Sequence, residues 1–196
     1  MTPLTQDLLR YRTYWPDDRP AVLQRYQTFV ESTPDCCLRS HADGHCTGSA
    51  FIVSPDFAST LLLYHPFLKR WLQPGGHADG DTDLQRVARR EASEETGLEL
   101  NAFKAVALGG EKRVPFDLDI HPIPERGQEK AHFHYDLRFL FTTDPRAVLT
   151  PESEQMLLEW LPLDQVAERT EEQSVLRMVE KILRIRSAGA EVFYRK

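Results

Sequence analysis

No apolar stretch in this chain approaches the roughly 20 residues that a membrane-spanning helix needs, and its start carries no basic-then-apolar signal pattern. Long basic clusters are also missing. With a formal net charge of -6, the chain offers no electrostatic support for general nucleic-acid binding or for docking on an anionic membrane surface. Cysteine is scarce: Cys36, Cys37 and Cys46 are the only three. An odd count with two adjacent residues argues against a disulfide framework and for a reducing, cytoplasmic setting. Internal repeats, low-complexity tracts and long linkers are absent. What is present, 196 residues with 41% hydrophobic and 28% charged side chains, suits one globular domain and is short for two.

Periodicity gives a coarse order of elements. A short helix is predicted over 4–15, and Pro16 to Pro20 separates it from a second over 21–31, where Val22, Leu23, Tyr26, Phe29 and Val30 recur at helical spacing. The loop CCLRSHADGHC follows. Cys36, Cys37, His41, His45 and Cys46 are zinc-ligand types, but their spacing is not that of a finger, and adjacent cysteines seldom point at one ion. The loop is therefore read as the entry to a strand, with one of its histidines as a candidate lining of a cleft. Strands are predicted over 48–53, 59–65, 103–108, 114–120 and 132–141, with a leucine-rich second strand buried on both faces. His65, at a strand end, is read as a packed or hydrogen-bonded histidine. In the 132–141 strand, His132, His134, Asp136 and Arg138 share one face, which reads equally as a cleft lining and as a wet sheet face. An amphipathic helix is expected over 171–186, and the terminal VFYRK reads as an edge strand or a docked tail.

The stretch LQPGGHADGDTDLQRVARREASEETGL, residues 72–98, carries the chemistry. A Pro-Gly-Gly turn precedes a helix on which Leu84, Val87, Ala88, Glu91, Glu95 and Leu98 share one face, while Arg86, Arg89 and Ser93 point away. The acids thus continue the apolar stripe. Carboxylates pressed together at i, i+3 and i+4 repel one another and are costly to desolvate. Arg90 neutralises part of that charge. A hard divalent cation matches the clustered oxygens better, and phosphate chemistry is its natural use.

Gly76, Arg90, Glu91, Glu94, Glu95, Gly97 and Leu98 fall on the spacing of the Nudix hydrolase signature, with Ala92 in its hydrophobic slot, and the chain resembles that family from roughly Gly48 to Val166. Thr82 stands where the first glutamate of the signature is expected, between Asp81 and Asp83. The resemblance implies an α+β fold, an α/β/α sandwich around a mixed sheet. It organises the chain as one domain: a helical N-terminal extension over 1–45, a catalytic core over 48–166, and a C-terminal helix and tail over 170–196. It implies Mg2+, with Mn2+ as the alternative, held by the Gly75 carbonyl, Glu91, Glu95, Glu94 and an acid ahead of the tryptophan strand. Glu154 matches that last place best, and Glu152 competes with it. Glu91 or Glu154 would be the general base, and Arg90 would orient the carboxylates through its donor fork. The implied activity is hydrolysis of a nucleoside diphosphate linked to a group X, with His77, His132, His134 and Arg138 as substrate contacts and a symmetric homodimer as a reasonable expectation. Two rivals are carried. A non-catalytic Nudix-fold binding or regulatory protein would suit Thr82; an isoprenoid diphosphate isomerase would need a catalytic cysteine, and none of the three occupies a convincing match.

Overall fold

The computed structural model describes residues 1–188 apart from Arg126 and Gln128. The helix α1 (Pro3–Tyr14) is capped by the Thr2 hydroxyl, which accepts the Thr5 N–H at 3.2 Å. α2 (Pro20–Ser32) opens on Pro20, whose missing N–H costs nothing in a first turn. The strands β1 (Gly44–Val53), β2 (Ser59–His65), β3 (Arg70–Leu72) and β4 (Gly75–His77) lead to α3 (Leu84–Thr96). Next come β5 (Lys104–Ala105), β6 (Asp117–Ile123), β7 (His132–Thr142), β8 (Leu157–Pro162), α4 (Val166–Arg169) and α5 (Gln173–Ala188). None of these helices is long and apolar enough to cross a membrane.

All eight strands join one mixed sheet, ordered β3-β2-β1-β7-β5, with β4 on β1, β6 on β7 and β8 on β2. β1 runs parallel to β7 over ten residue pairs and antiparallel to β2 and β4. One face packs against α1, α2 and α3 through Leu8, Tyr26, Ala50, Ile52, Leu84, Val87, Leu137 and Phe139; the other packs against α5 through Phe51, Val53, Leu62, Leu140, Val175 and Ile182. This is the layered mixed architecture that was expected. The N-terminal extension is part of the core: Phe29 stacks on Tyr135 at 3.8 Å, and the Tyr26 hydroxyl donates to the Tyr135 carbonyl at 2.7 Å.

Several predicted boundaries shift. β1 begins at Gly44, four residues earlier than predicted, because the end of the Cys/His loop is captured by pairing with Phe133 and His134 of β7. β6 continues through His121, Pro122 and Ile123, where prolines were expected to end it; among the described residues it pairs with β7 alone, and an edge strand tolerates a residue without an N–H. The strand predicted over 103–108 shrinks to Lys104–Ala105, preceded by a 3-10 turn at Leu100–Ala102. The two short strands β3 and β4 carried too few residues to show a period. The VFYRK tail lies outside the described residues.

Arg138 corrects a larger expectation. It is only 2% exposed, and its guanidinium donates to Asp136 at 2.7 Å and to Asp117 and Asp119 at 3.2 Å. Its donors are committed inside the protein, so it does not face a substrate. Asp117 also accepts from Arg177 at 2.7 Å and from Lys181 at 2.9 Å, both on α5, while Arg19 reaches Asp119 at 2.6 Å. Burial pushes Asp117 and Asp119 up, but Lys181, Arg177 and Arg138 around the first, and His121, Arg138 and Arg19 around the second, hold both below the usual carboxylate range. The polar face of β7 is thus neither wet nor an open cleft at this end.

Removing one member of such a network strands charges without partners, at a cost of about 3–5 kcal/mol. Arg138→Leu is expected to destabilise by that order at neutral pH, measured by urea denaturation. The deficit should shrink as pH falls below about 4, where aspartates take up protons; a deficit independent of pH would point to lost packing instead.

Candidate active site

α3 is held against the sheet by its ends and by two glycines below it. Asp83 caps its first turn by accepting the Arg86 N–H at 3.1 Å, and Gly97 ends it at φ 71°, a left-handed conformation that suits glycine. A Cβ on Gly48 would lie 2.5 Å from the Leu84 carbonyl oxygen, and one on Gly76 would lie 2.2 Å from Glu91 Oε2. Only glycine permits the backbone approach at Gly48, and at Gly76 any side chain would displace the Glu91 carboxylate. Leu84, Val87, Ala88, Ala92 and Thr96 are buried, with Glu91 and Glu95 half-buried beside them, so the acids do continue the inward face.

The Gly75 N–H donates to Glu95 Oε2 at 2.9 Å, and Arg90 donates both to Glu91 Oε1 at 2.6 Å and to the His77 carbonyl at 2.8 Å. One arginine therefore fixes a carboxylate and the strand beneath it. Glu94 is exposed. Burial pushes Glu95 up to about 8 against the Gly75 hydrogen bond, with further upward pressure from the charges of Glu91, Glu152 and Glu94. Burial raises Glu91 too, although Arg90 opposes the shift. These are oxygen donors short of positive charge, which is the donor set a hard divalent cation completes. The loop ahead of β8 holds Glu152 and Glu154, both exposed, and the charge of Glu152 is among those that act on Glu95.

The aspartates flanking Thr82 have structural occupations. Asp81 receives Arg86 through two hydrogen bonds at 2.7 Å and accepts the Asp83 N–H at 2.8 Å; Asp83 caps α3 and receives Arg113 at 2.9 and 3.0 Å. Both are thus engaged by arginines and by the backbone at the start of α3.

On the opposite sheet face the strand register builds a second cluster. His45 sits opposite His134, which sits opposite His121; the next row reads His77, Thr47, Asp136, Asp119. His132 joins at the end of β7, with ring centroids 4.9 Å from His45 and 5.2 Å from His134. The ring nitrogens of His45, His77 and His134 lie within 4.8 Å of one another, a group able to coordinate a divalent metal. His121 was not among the predicted contacts, and His45 was foreseen only as one of the loop histidines that could line a cleft, although the alternation His45-Thr47-Ser49 was a signal for it. The neighbouring residue Cys46 faces the other way and meets Cys36 and Cys37, the three sulfurs lying within 4.8 Å. The Cys/His loop is thus divided between two faces, and its adjacent cysteines do converge. His65 accepts the Leu68 N–H at 3.2 Å, in keeping with its structural reading.

Comparison with known proteins agrees with this geometry. The NUDIX domain family matches residues 49–181. The chain is 32% identical over 143 residues to the probable DHNTP pyrophosphohydrolase of Lactococcus lactis subsp. cremoris, covering 73% of this chain and 81% of that protein. In fold it resembles a Nudix hydrolase from M. smegmatis, with TM-score 0.53, 16% identity and coverage of 74% and 88% of the two chains. It likewise resembles the E. coli dihydroneopterin triphosphate pyrophosphohydrolase, with TM-score 0.52, 14% identity and coverage of 71% and 96%.

The raised Glu95 has a measurable consequence in metal-free protein. Folding holds a proton that the unfolded chain releases near pH 4.3, so this group's contribution to stability falls as pH rises from there to about 8. Glu95→Gln is therefore expected to melt above the wild type at about pH 8 in the presence of a chelator, by a few kcal/mol of stability. The two should converge near pH 4. Mg2+ should raise the melting temperature of the wild type much more than that of the variant; equal rises would remove Glu95 from the metal site.

Proposed function

The chain belongs to the Nudix family of pyrophosphohydrolases, enzymes acting on phosphate anhydrides, and from that premise we propose that it cleaves the diphosphate linkage of a nucleoside diphosphate joined to a group X, by attack of water at phosphorus. The observation that carries this reading is the pair Glu91 and Glu95, kept partly buried and undercompensated at the turn that begins with Gly75. Glu91, Glu95, the Gly75 carbonyl and Glu94 would hold Mg2+, or Mn2+ in its place. When bound, that ion neutralises charge on the diphosphate and orients the water.

The chain's own groups do the rest. Arg90 keeps Glu91 in position by bonding it and the His77 carbonyl at once. The proton of the attacking water goes to a carboxylate oxygen. Glu91 is engaged by Arg90, which leaves the loop ahead of β8 to supply the base, and the proximity of Glu152 to Glu95 favours Glu152 over Glu154. His77, His132 and His134 lie on the sheet face opposite Glu91 and Glu95, so they would meet only a part of the substrate away from the diphosphate, and Arg138 is committed elsewhere. The identity of X, whether sugar, ribose, nucleotide or further phosphate, rests on pocket walls and not on the motif. The name of the Lactococcus relative adds a pterin triphosphate to the substrates worth trying.

Product-resolved hydrolysis of nucleotide sugars, ADP-ribose, dinucleoside polyphosphates, nucleoside triphosphates and dihydroneopterin triphosphate is expected to show cleavage of one phosphoanhydride bond that requires Mg2+. Absence of turnover with either Mg2+ or Mn2+, together with tight ligand binding, would establish the regulatory alternative. Among loop variants, Glu152→Gln should lower kcat by about 10²–10⁴-fold and flatten the acidic limb of its pH profile. A comparable loss in Glu154→Gln with Glu152→Gln unaffected would reverse the assignment.

A further inference from the structure

His45 is 1% exposed, and neither of its ring nitrogens has a hydrogen-bond partner; Nε2 of His134 and of His132 are buried and unpartnered as well. Buried polar atoms in native proteins almost always find partners, so unpartnered ring nitrogens on neighbouring histidines require an explanation. Water would have to satisfy several acceptors in a space walled by rings. A metal ion would take one nitrogen each from His45 and His134, since the neutral imidazole nitrogen is a common metal ligand.

We propose that His45, His77 and His134 form a second metal centre, selective for a borderline divalent transition ion of the Zn2+ class and separate from the carboxylate site on α3.

Four features carry this. The ligand atoms come from three strands whose register is set by the sheet itself, so the centre is built on rigid elements. Tetrahedral Zn2+ with nitrogens at about 2.0–2.1 Å places them about 3.3 Å apart; contraction from within 4.8 Å needs side-chain movement on the order of an ångström. His45 is buried, and the rings of His134 and His77 are centred 4.8 and 5.0 Å from its own, so the three imidazoles share one space. Finally, a cleft of about 300 Å3 lined by Arg39, His41, His45, Lys130 and His132 gives an entry path.

The donor chemistry separates the two centres. Mg2+ prefers oxygen and keeps its waters, whereas three imidazoles with an open fourth position are the set found around Zn2+ that binds water or substrate. Alternation along β4 puts Gly76 under α3 and His77 on the opposite face, so the sheet itself lies between the centres. Uncharged imidazoles also lack the positive charge to draw in a phosphate, and a cation held by them supplies it. The occupancy of this centre does not depend on the hydrolytic reading.

The test is titration of full-length, metal-free protein with Co2+ and Zn2+ in excess Mg2+, which fills the carboxylate site. One equivalent of Co2+ should give visible bands without the near-ultraviolet charge transfer of thiolate ligation, and Zn2+ should displace it. His45→Phe and His134→Phe should each weaken Zn2+ binding by about tenfold or more, while Glu95→Gln and Cys46→Ser leave it intact. Circular dichroism checks folding, and the half-buried His77→Asn provides a third variant should the buried ones unfold. The proposal is overturned if folded wild type binds neither ion. A thiolate band lost in Cys46→Ser would move the ion to the cysteine trio. Binding lost only in Glu95→Gln would return it to the carboxylates.

Discussion

The parallel pairing of β1 with β7 in a single register is the constraint on which both polar regions depend. Its ten residue pairs set His45 against His134, Thr47 against Asp136 and Ser49 against Arg138. Thr47 and Ser49 then donate to Asp136 at 2.9 and 2.8 Å, and β6 adds His121, Asp119 and Asp117 to the same rows. Side chains alternate with period two, so a slip of one residue would turn every one of these groups toward α3 and bring Phe51 and Val53 with them. A parallel pair cannot be set by a hairpin turn; its register is held by what its side chains meet on each face.

The structure handles desolvated charge in three ways. Around Arg138, Asp117 and Asp119 are matched by Arg19, Arg177 and Lys181 and held below the usual carboxylate range. At the histidine cluster, burial leaves neutral rings with free lone pairs. At the end of α3 the balance is left short of positive charge, and Glu95 holds its proton to about 8. Matched charge suits a scaffold, whereas undercompensated charge marks a place prepared for something that binds. Arg90 connects the second and third regions by bonding the His77 carbonyl and Glu91 together.

Much of this was legible in the chain. The helix of residues 84–96 announced itself by period, cap and terminal glycine, because those are local properties. β2 matched its prediction, since a run of leucines between turn residues has few other uses. Short strands escaped: three residues in β3 and three in β4 are too few to show alternation, and their pairing is supplied by neighbours distant in sequence. The chain alone showed that Arg138 lay on a polar strand face but not which charges β6 and α5 would bring to it. Likewise, CCLRSHADGHC looked like one ligand-rich loop, and the alternation of β1 divides it between two sheet faces.

The sequence by itself determined the family signature, the helix that presents Glu91 and Glu95, and the layered α/β character, because spacing and periodicity are properties of neighbouring residues. Tertiary structure alone decided that Arg138 is an internal strut, that Asp81 and Asp83 serve Arg86, Arg113 and a helix cap, and that histidines from separate strands share one space. Each of these depends on which distant segment packs alongside, and that is settled by burial and register over the whole sheet rather than by any stretch of chain.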